Sequence, residues 1–73
     1  MKTYLSVWFN TNGENPSNIT KKLAKIGFKP IRGNYDYEYD WKRTASVDEI
    51  LNIGDKLQQM LKGSNVLFKL ETV

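Results

Sequence analysis

The chain has 73 residues, with 11 lysines and arginines against 8 acidic residues and a formal net charge of +3. A charge this small gives only mild attraction towards polyanions, and salt screens most of it. The absence of cysteine and histidine excludes disulfides, thiol or imidazole catalysis and most transition-metal sites, because carboxylates and backbone oxygens are the only good ligands left.

A strand is predicted first, over Thr3 to Asn10, where the residues alternate with a period of two. The side predicted to face the core carries Leu5, Val7 and Phe9, and the other side carries Tyr4, Ser6 and Trp8. A helix follows, with Asn15 as N-cap, Pro16 at its first position and Gly27 as its stop. Its apolar face is formed by Ile19, Leu23 and Ile26.

The stretch from Gly27 to Trp41 carries the strongest pattern in the chain. Its second half alternates four aromatic residues with four polar ones, in the order Asn34, Tyr35, Asp36, Tyr37, Glu38, Tyr39, Asp40, Trp41. Three carboxylates cannot all leave water without partners, whereas aromatic rings gain from burial, so the aromatic side is predicted to face the core. Before it, a short strand from Phe28 to Ile31 contains Pro30 and belongs at a sheet edge. Gly33 and Asn34 suit a tight hairpin turn.

A second helix is predicted from Ser46, with Glu49 three residues later completing a capping box, and Gly63 as its end. Its apolar face comprises Ile50, Ile53, Leu57, Met60 and Leu61. The last strand runs from Asn65 to Glu71. Val66, Phe68 and Leu70 alternate there with Leu67, Lys69 and Glu71.

This order of elements, βαββαβ, predicts a single α+β domain over residues 1–73 with the ferredoxin-like split βαβ fold. Both helices would cover one face of an antiparallel sheet, with the first and third strands central and the proline-bearing strand at an edge. The alternative is one bent strand from Phe28 to Trp41 in a three-stranded sheet. So short a chain buries only roughly 60% of its unfolded surface, so a partner subunit would add stability.

The open sheet face is the first candidate site, because the alternation exposes Tyr4, Trp8 and Leu67 on it. Self-association through this face or an edge strand is one interpretation. The alternatives are an apolar patch covered by lysine stems, and a foreign ligand. The same face carries Asp36, Glu38 and Asp40, which are about 7 Å apart from one to the next. That spacing is too wide for one pair to hold a metal ion. Nothing in the sequence shows the enclosed cleft that an acid–base pair needs, so a solvated acidic face is favoured.

A basic set of residues is the second candidate, for binding a nucleic-acid backbone. Its members are Lys21, Lys22, Lys25, Lys29 and Arg32. The alternative is an ordinary lysine-rich solvent face.

Two runs carry a resemblance to known families: Leu23 to Phe28, leading into the hairpin, and Ser46 to Ile50, before the closing strand. The order of elements resembles that of the small CRISPR-associated ferredoxin-like nucleases and of the VapD toxin family, over most of the chain. The resemblance implies the same fold and a dimer. Several members are described as metal-dependent nucleases. The CRISPR-associated family has Asp at the end of its first strand, where this sequence has Phe9-Asn10-Thr11-Asn12, so no site residue is carried over.

The sequence therefore predicts a non-enzymatic binding or assembly module, a homodimer, with no catalytic residue, metal site or cofactor. The apolar N-terminal run lacks a small-residue cleavage site and no segment is long enough for a membrane span, so a cytoplasmic location is expected. The alternatives are a nucleic-acid-binding module that uses the basic face of the first helix, and a divalent-metal-dependent nuclease that uses the three carboxylates.

Overall fold

The computed structural model describes all 73 residues as six elements in the predicted order. They are β1 (Lys2–Trp8), α1 (Pro16–Ile26), β2 (Lys29–Pro30), β3 (Tyr37–Asp40), α2 (Val47–Leu61) and β4 (Leu67–Thr72). The strands form one open sheet in the order β2-β3-β1-β4, and every neighbouring pair is antiparallel. The protein is therefore a small α+β domain with a four-stranded sheet and two helices.

Both helices pack on the same face of the sheet. Leu5 and Val7 of β1 lie in one buried cluster with Leu23 of α1 and with Ile53 and Leu57 of α2. Residues two apart in a strand share a face, so a single layer of helices covers the sheet. The other face carries no helix, and the residues that point to it remain in contact with solvent.

The helix ends are set by local chemistry that the sequence displays. The Asn15 side chain accepts a hydrogen bond from the backbone N–H of Asn18 at 2.9 Å, and Gly27 ends α1 in the left-handed region with φ +115°. In α2, the Ser46 hydroxyl accepts from the N–H of Glu49 at 3.1 Å. The Glu49 carboxylate in turn accepts from the N–H of Ser46 at 3.0 Å. These caps confirm the predicted starts of both helices and the stop of the first.

The hairpin interpretation of residues 28–41 is correct, and the single bent strand is not. Lys29 and Pro30 pair antiparallel with Glu38 and Tyr37, so β2 and β3 are separate strands. Pro30 lies on the sheet edge, where its missing N–H removes no internal ladder bond. The turn is wider than predicted, because Ile31 N donates to Asp36 O at 2.9 Å and closes a loop over residues 32–35.

The predicted alternation fails at Tyr35, which does not face the core. The N–H of Asp36 donates to the carbonyl of Leu5 at 3.0 Å, although Leu5 is in register with Tyr37. Asp36 and Tyr37 therefore both lie opposite Leu5, as in a β-bulge. The extra residue shifts the alternation of side chains by one position. The strand begins at Tyr37, and Tyr35 lies on the open face against Tyr4.

The first strand is also shorter than predicted, and Phe9 is not a core residue. The strand ends at Trp8, and Phe9 is 41% exposed. The reason is that β4 begins at Leu67, which pairs with Trp8, so no partner strand extends as far as Phe9. Leu5 and Val7 are buried as expected.

A partly buried chain of hydrogen bonds joins Trp41, just after β3, to the start of β1 and the end of β4. The Trp41 indole N–H donates to Thr3 Oγ1 at 2.8 Å, and Thr3 Oγ1 lies 2.8 Å from Thr72 Oγ1. Because the indole can only donate, the Thr3 hydroxyl accepts from it, while in the Thr3–Thr72 bond either hydroxyl can be the donor. Thr3 is fully buried, so these bonds are what make a threonine acceptable there.

Candidate self-association surface

The open face carries an exposed apolar pair at the β1–β4 side of the sheet. Trp8 and Leu67 are in register across the two strands, and they are 55% and 74% exposed. Residues directly opposite in an antiparallel pair point to the same face. The strands therefore place an indole and an isobutyl group side by side in solvent. The alternation predicted that both would be exposed on this face, but not that they would be adjacent. Large adjacent apolar groups of this kind on a small domain are typical of an interaction surface.

Beside this pair, two half-buried tyrosines form a second aromatic feature of the open face. The rings of Tyr4 and Tyr35 stack with centroids 4.6 Å apart, and the Tyr35 hydroxyl donates to the Glu71 carboxylate. That hydrogen bond raises the pKa of Tyr35 above its ordinary value, because it and the negative charge both oppose loss of the proton. Tyr35 thus ties the hairpin loop to β4 across the open face.

The rest of the open face alternates positive and negative groups. Lys2 lies 3.5 Å from Glu38, and Lys29 is in register with Glu38 from the other side. Along β4, Lys69 is opposite Ser6 and Glu71 is opposite Tyr4. The face therefore has no region of single charge sign, which agrees with protein contacts better than with a polyanion.

The three carboxylates Asp36, Glu38 and Asp40 do not converge on one point. Asp36 accepts a hydrogen bond from the backbone N–H of Val7 at 2.8 Å, and Asp40 accepts from the N–H of Lys42 at 2.9 Å. Glu38 is paired with Lys2. No group of three or more acidic side chains in the molecule is arranged to hold a metal ion. Asp36 and Asp40 thus act as hydrogen-bond acceptors for the backbone.

The basic residues are divided between different parts of the surface. Lys21 and Lys25 lie exposed one turn apart on α1, and Arg32 is exposed in the hairpin loop. Lys29, in register with Glu38, belongs to the open face and not to the helix face. Lys22 is half-buried and donates to the Glu14 carboxylate, which also accepts from the Ser64 hydroxyl at 2.8 Å. The hydrogen bonds from Lys22 and then Ser64 hold the pKa of Glu14 below its usual value.

The two edge strands of the sheet differ in length and in proline content. One edge is β2, which has two residues and contains Pro30. The other is β4, which has six residues, is paired along its whole length with β1, and contains no proline. Short or proline-bearing edges resist further strand pairing, whereas a long regular edge offers unpaired backbone groups to another strand.

A groove of about 600 Å³ runs beside this second edge, between α2 and the start of β4. Its walls include Asp55 and Gln58 of the helix and Lys62 just after it, with Val66 and Phe68 from the strand side. Leu51 precedes Asp55 by four residues and Gln58 by seven, so it lies on the same side of α2. It is 60% exposed. The groove is lined mostly by polar side chains, and Leu51 is a separate exposed apolar group on the same side of the helix.

Sequence reasoning missed Tyr35 and Leu51 as surface groups. Tyr35 gave no local signal, because the bulge that moves it depends on a contact with β1. Leu51 did give one: it is an apolar residue outside the spacing of the predicted apolar face of its helix.

No protein-family model matches this chain, and comparisons with curated proteins and with solved structures give no significant match. None of the helices has the length and apolar character needed to cross a membrane.

Proposed function

We propose that this chain is a ferredoxin-like, non-enzymatic assembly module that works as a homodimer, associating through its open sheet face or an edge strand. The observation that carries the proposal is the exposed pair of Trp8 and Leu67, adjacent in register on a face that no helix covers. Dimerisation would remove apolar surface from water, which is favourable at roughly 25 cal/mol per Å² before the costs of association.

Three further features support this proposal. The strand order, with β3 and β1 central, is consistent with the ferredoxin-like arrangement. The families that the order of elements resembles are dimers, which agrees with a homodimer. The domain is also small, so burying a shared surface would add to a thin stability margin. The expected cytoplasmic location stays a prediction.

Sedimentation equilibrium from micromolar to millimolar protein tests the proposal. We expect a monomer–dimer equilibrium that Trp8→Ala shifts towards the monomer. Lys21→Ala, an exposed change on α1 away from the open face, is the matched control and should leave the equilibrium unchanged. A wild-type chain that stays monomeric at millimolar concentration would rule the proposal out.

The second candidate function is nucleic-acid binding through the exposed cations near α1. It is favoured by one observation: Lys21 and Lys25 are exposed one turn apart on α1, and neither takes part in an ion pair. Lys29 and Arg32 are also exposed and outside any ion pair, but they lie on other parts of the surface. Free lysines and arginines are the groups that neutralise phosphates.

An amide NMR titration with single- and double-stranded oligonucleotides, at low and moderate salt, separates this candidate from assembly. Binding would shift the amide resonances of α1. These shifts would disappear as the salt concentration rises, and the affinity would fall with Lys21→Glu or Lys25→Glu. Lys56→Glu, an exposed change on α2, is the control. No shifts, together with the slow tumbling of a dimer, would leave assembly as the function.

A further inference from the structure

The hydrogen bonds between β1 and β4 show which backbone groups of β4 are left unpaired at the sheet edge. Lys2 and Val73 exchange both of their backbone hydrogen bonds, at 3.2 and 3.0 Å. In an antiparallel pair such residues alternate with pairs that exchange none. The backbone groups of Leu67, Lys69 and Glu71 therefore point to β1. Those of Phe68, Leu70 and Thr72 point outward, to the free edge of the sheet.

We infer that this edge pairs antiparallel with β4 of a second copy of the chain, about a twofold axis between the two Leu70 residues. The inference rests on the proposed function and names the surface and register of the dimer. Leu70 would face Leu70, and Phe68 would face Thr72 of the second copy. All of these residues offer outward N–H and C=O groups, so each pair exchanges two hydrogen bonds and the two sheets become one.

Charge complementarity selects this register. On the open face, Lys69 of each copy lies opposite Glu71 of the other, in the closer type of pair that exchanges no backbone bonds. Moving the strands by two residues in one direction brings Lys69 opposite Lys69. Moving them by two in the other direction brings Glu71 opposite Glu71. A shift of one residue would pair side chains from opposite faces, which a continuous sheet does not allow.

The apolar surface on either side of the edge fits the same register. On the open face, Leu67 would lie opposite Val73 of the second copy, which is 73% exposed in the single chain. Trp8, Leu67 and that valine would form one apolar row. The exposure of Leu67 is thus reduced by Val73 of the second copy.

The helix layer leaves room for the second copy. α2 lies over β1 and β4, because Ile53 and Leu57 pack with β1 residues and a side chain added at Gly54 would come within 3.5 Å of Leu70 Cδ1. The two copies of α2 would then be separated by two strand spacings, about 10 Å, close to the distance at which helices pack. Leu51 lies on the side that would meet the second helix.

A charge exchange tests the pairing by sedimentation equilibrium, with circular dichroism to confirm that each variant folds. Lys69→Glu and Glu71→Lys each turn two attractive contacts into two repulsive ones, so each should raise the dimer Kd about tenfold. The double variant K69E/E71K restores opposite charges and should return the Kd to near that of the wild type. Lys29→Glu, on the same face but at the β2 edge, is the control and should have no effect.

Cysteine pairing tests the register, because the chain has no cysteine of its own. Mixed under oxidising conditions, K69C and E71C should form the mixed disulfide faster than either forms a disulfide with itself. A monomeric wild type would overturn both the proposed function and this pairing. If the wild type dimerises and neither charge reversal changes the dimer Kd, the β4 pairing alone would be overturned. A double variant as weak as the single ones, or a preferred K69C–K69C disulfide, would overturn the register.

Discussion

Neighbouring residues of β3 occupy opposite environments. Tyr37 is 5% exposed, lies in the core cluster, and its hydroxyl is 2.8 Å from Thr20 Oγ1. Glu38, the next residue, lies on the open face with Lys2. The difference follows from the pleat, which sends successive side chains to opposite sides.

Tyr37→Ala is therefore expected to destabilise the domain by about 3 kcal/mol or more, because it removes a buried ring and leaves a cavity. Glu38→Gln is the matched control on the same strand and should change stability by less than about 1 kcal/mol, since it affects only a surface ion pair. Urea unfolding followed by circular dichroism measures both. If the cost of Glu38→Gln exceeded that of Tyr37→Ala, the buried face would be wrongly assigned.

At the scale of elements, the end of α1 depends on a glycine for two separate reasons. Gly27 has φ +115°, and a Cβ there would lie 2.8 Å from Cε2 of Tyr39. Gly33 has almost the same φ, +117°, but nothing lies within 4 Å of the corresponding position. Comparing substitutions at Gly27 and Gly33 therefore separates the cost of backbone strain from the cost of steric contact.

Gly27→Ala should lower the free energy of unfolding more than Gly33→Ala does. Both variants pay about 1–2 kcal/mol for a side chain at positive φ, and only the first must also displace the Tyr39 ring. Equal losses in denaturant unfolding would show that Tyr39 moves aside without cost.

The start of α2 gives a prediction about pH. The Arg43 guanidinium, and then the backbone N–H of Ser46, lower the pKa of Glu49 from 4.5 to about 2. Because the unfolded chain takes up this proton first, the contribution of Glu49 is complete above about pH 4.5 and is lost as the pH falls towards 2.

Thermal unfolding between pH 5 and pH 2 should therefore show a stability loss that Glu49→Gln reduces, because glutamine keeps the capping box but does not titrate. Arg43→Met should reduce it in the same way by returning the pKa towards its ordinary value. An acid slope identical in wild type and both variants would contradict the role of this pair.

At the scale of the whole molecule, the proposed dimer would link stability to association. A second copy that binds only the folded chain stabilises it by mass action. The melting temperature should therefore rise with total protein concentration, and the rise should be smaller for Lys69→Glu. Differential scanning calorimetry over a wide concentration range measures this. A melting temperature independent of concentration in the wild type would contradict a dimer coupled to folding.

The sequence by itself determined the elements whose signals are local. The caps at Asn15 and Ser46, the stop at Gly27 and the edge position of Pro30 each depend on residues within one turn or one strand, so their chemistry is visible in a linear reading. The exposed faces of β1 and β4 followed equally well, because period-two alternation needs no knowledge of the partner strand.

Only the tertiary structure decided where that alternation breaks and which surfaces meet. Asp36 bulges because its backbone and carboxylate bond to Leu5 and Val7, some thirty residues away, and no local pattern encodes such a contact. The same holds for Phe9, which is exposed because β4 starts too late to reach it. The juxtaposition of Trp8 with Leu67 likewise exists only once β4 returns beside β1, since strand pairing is a property of the folded chain.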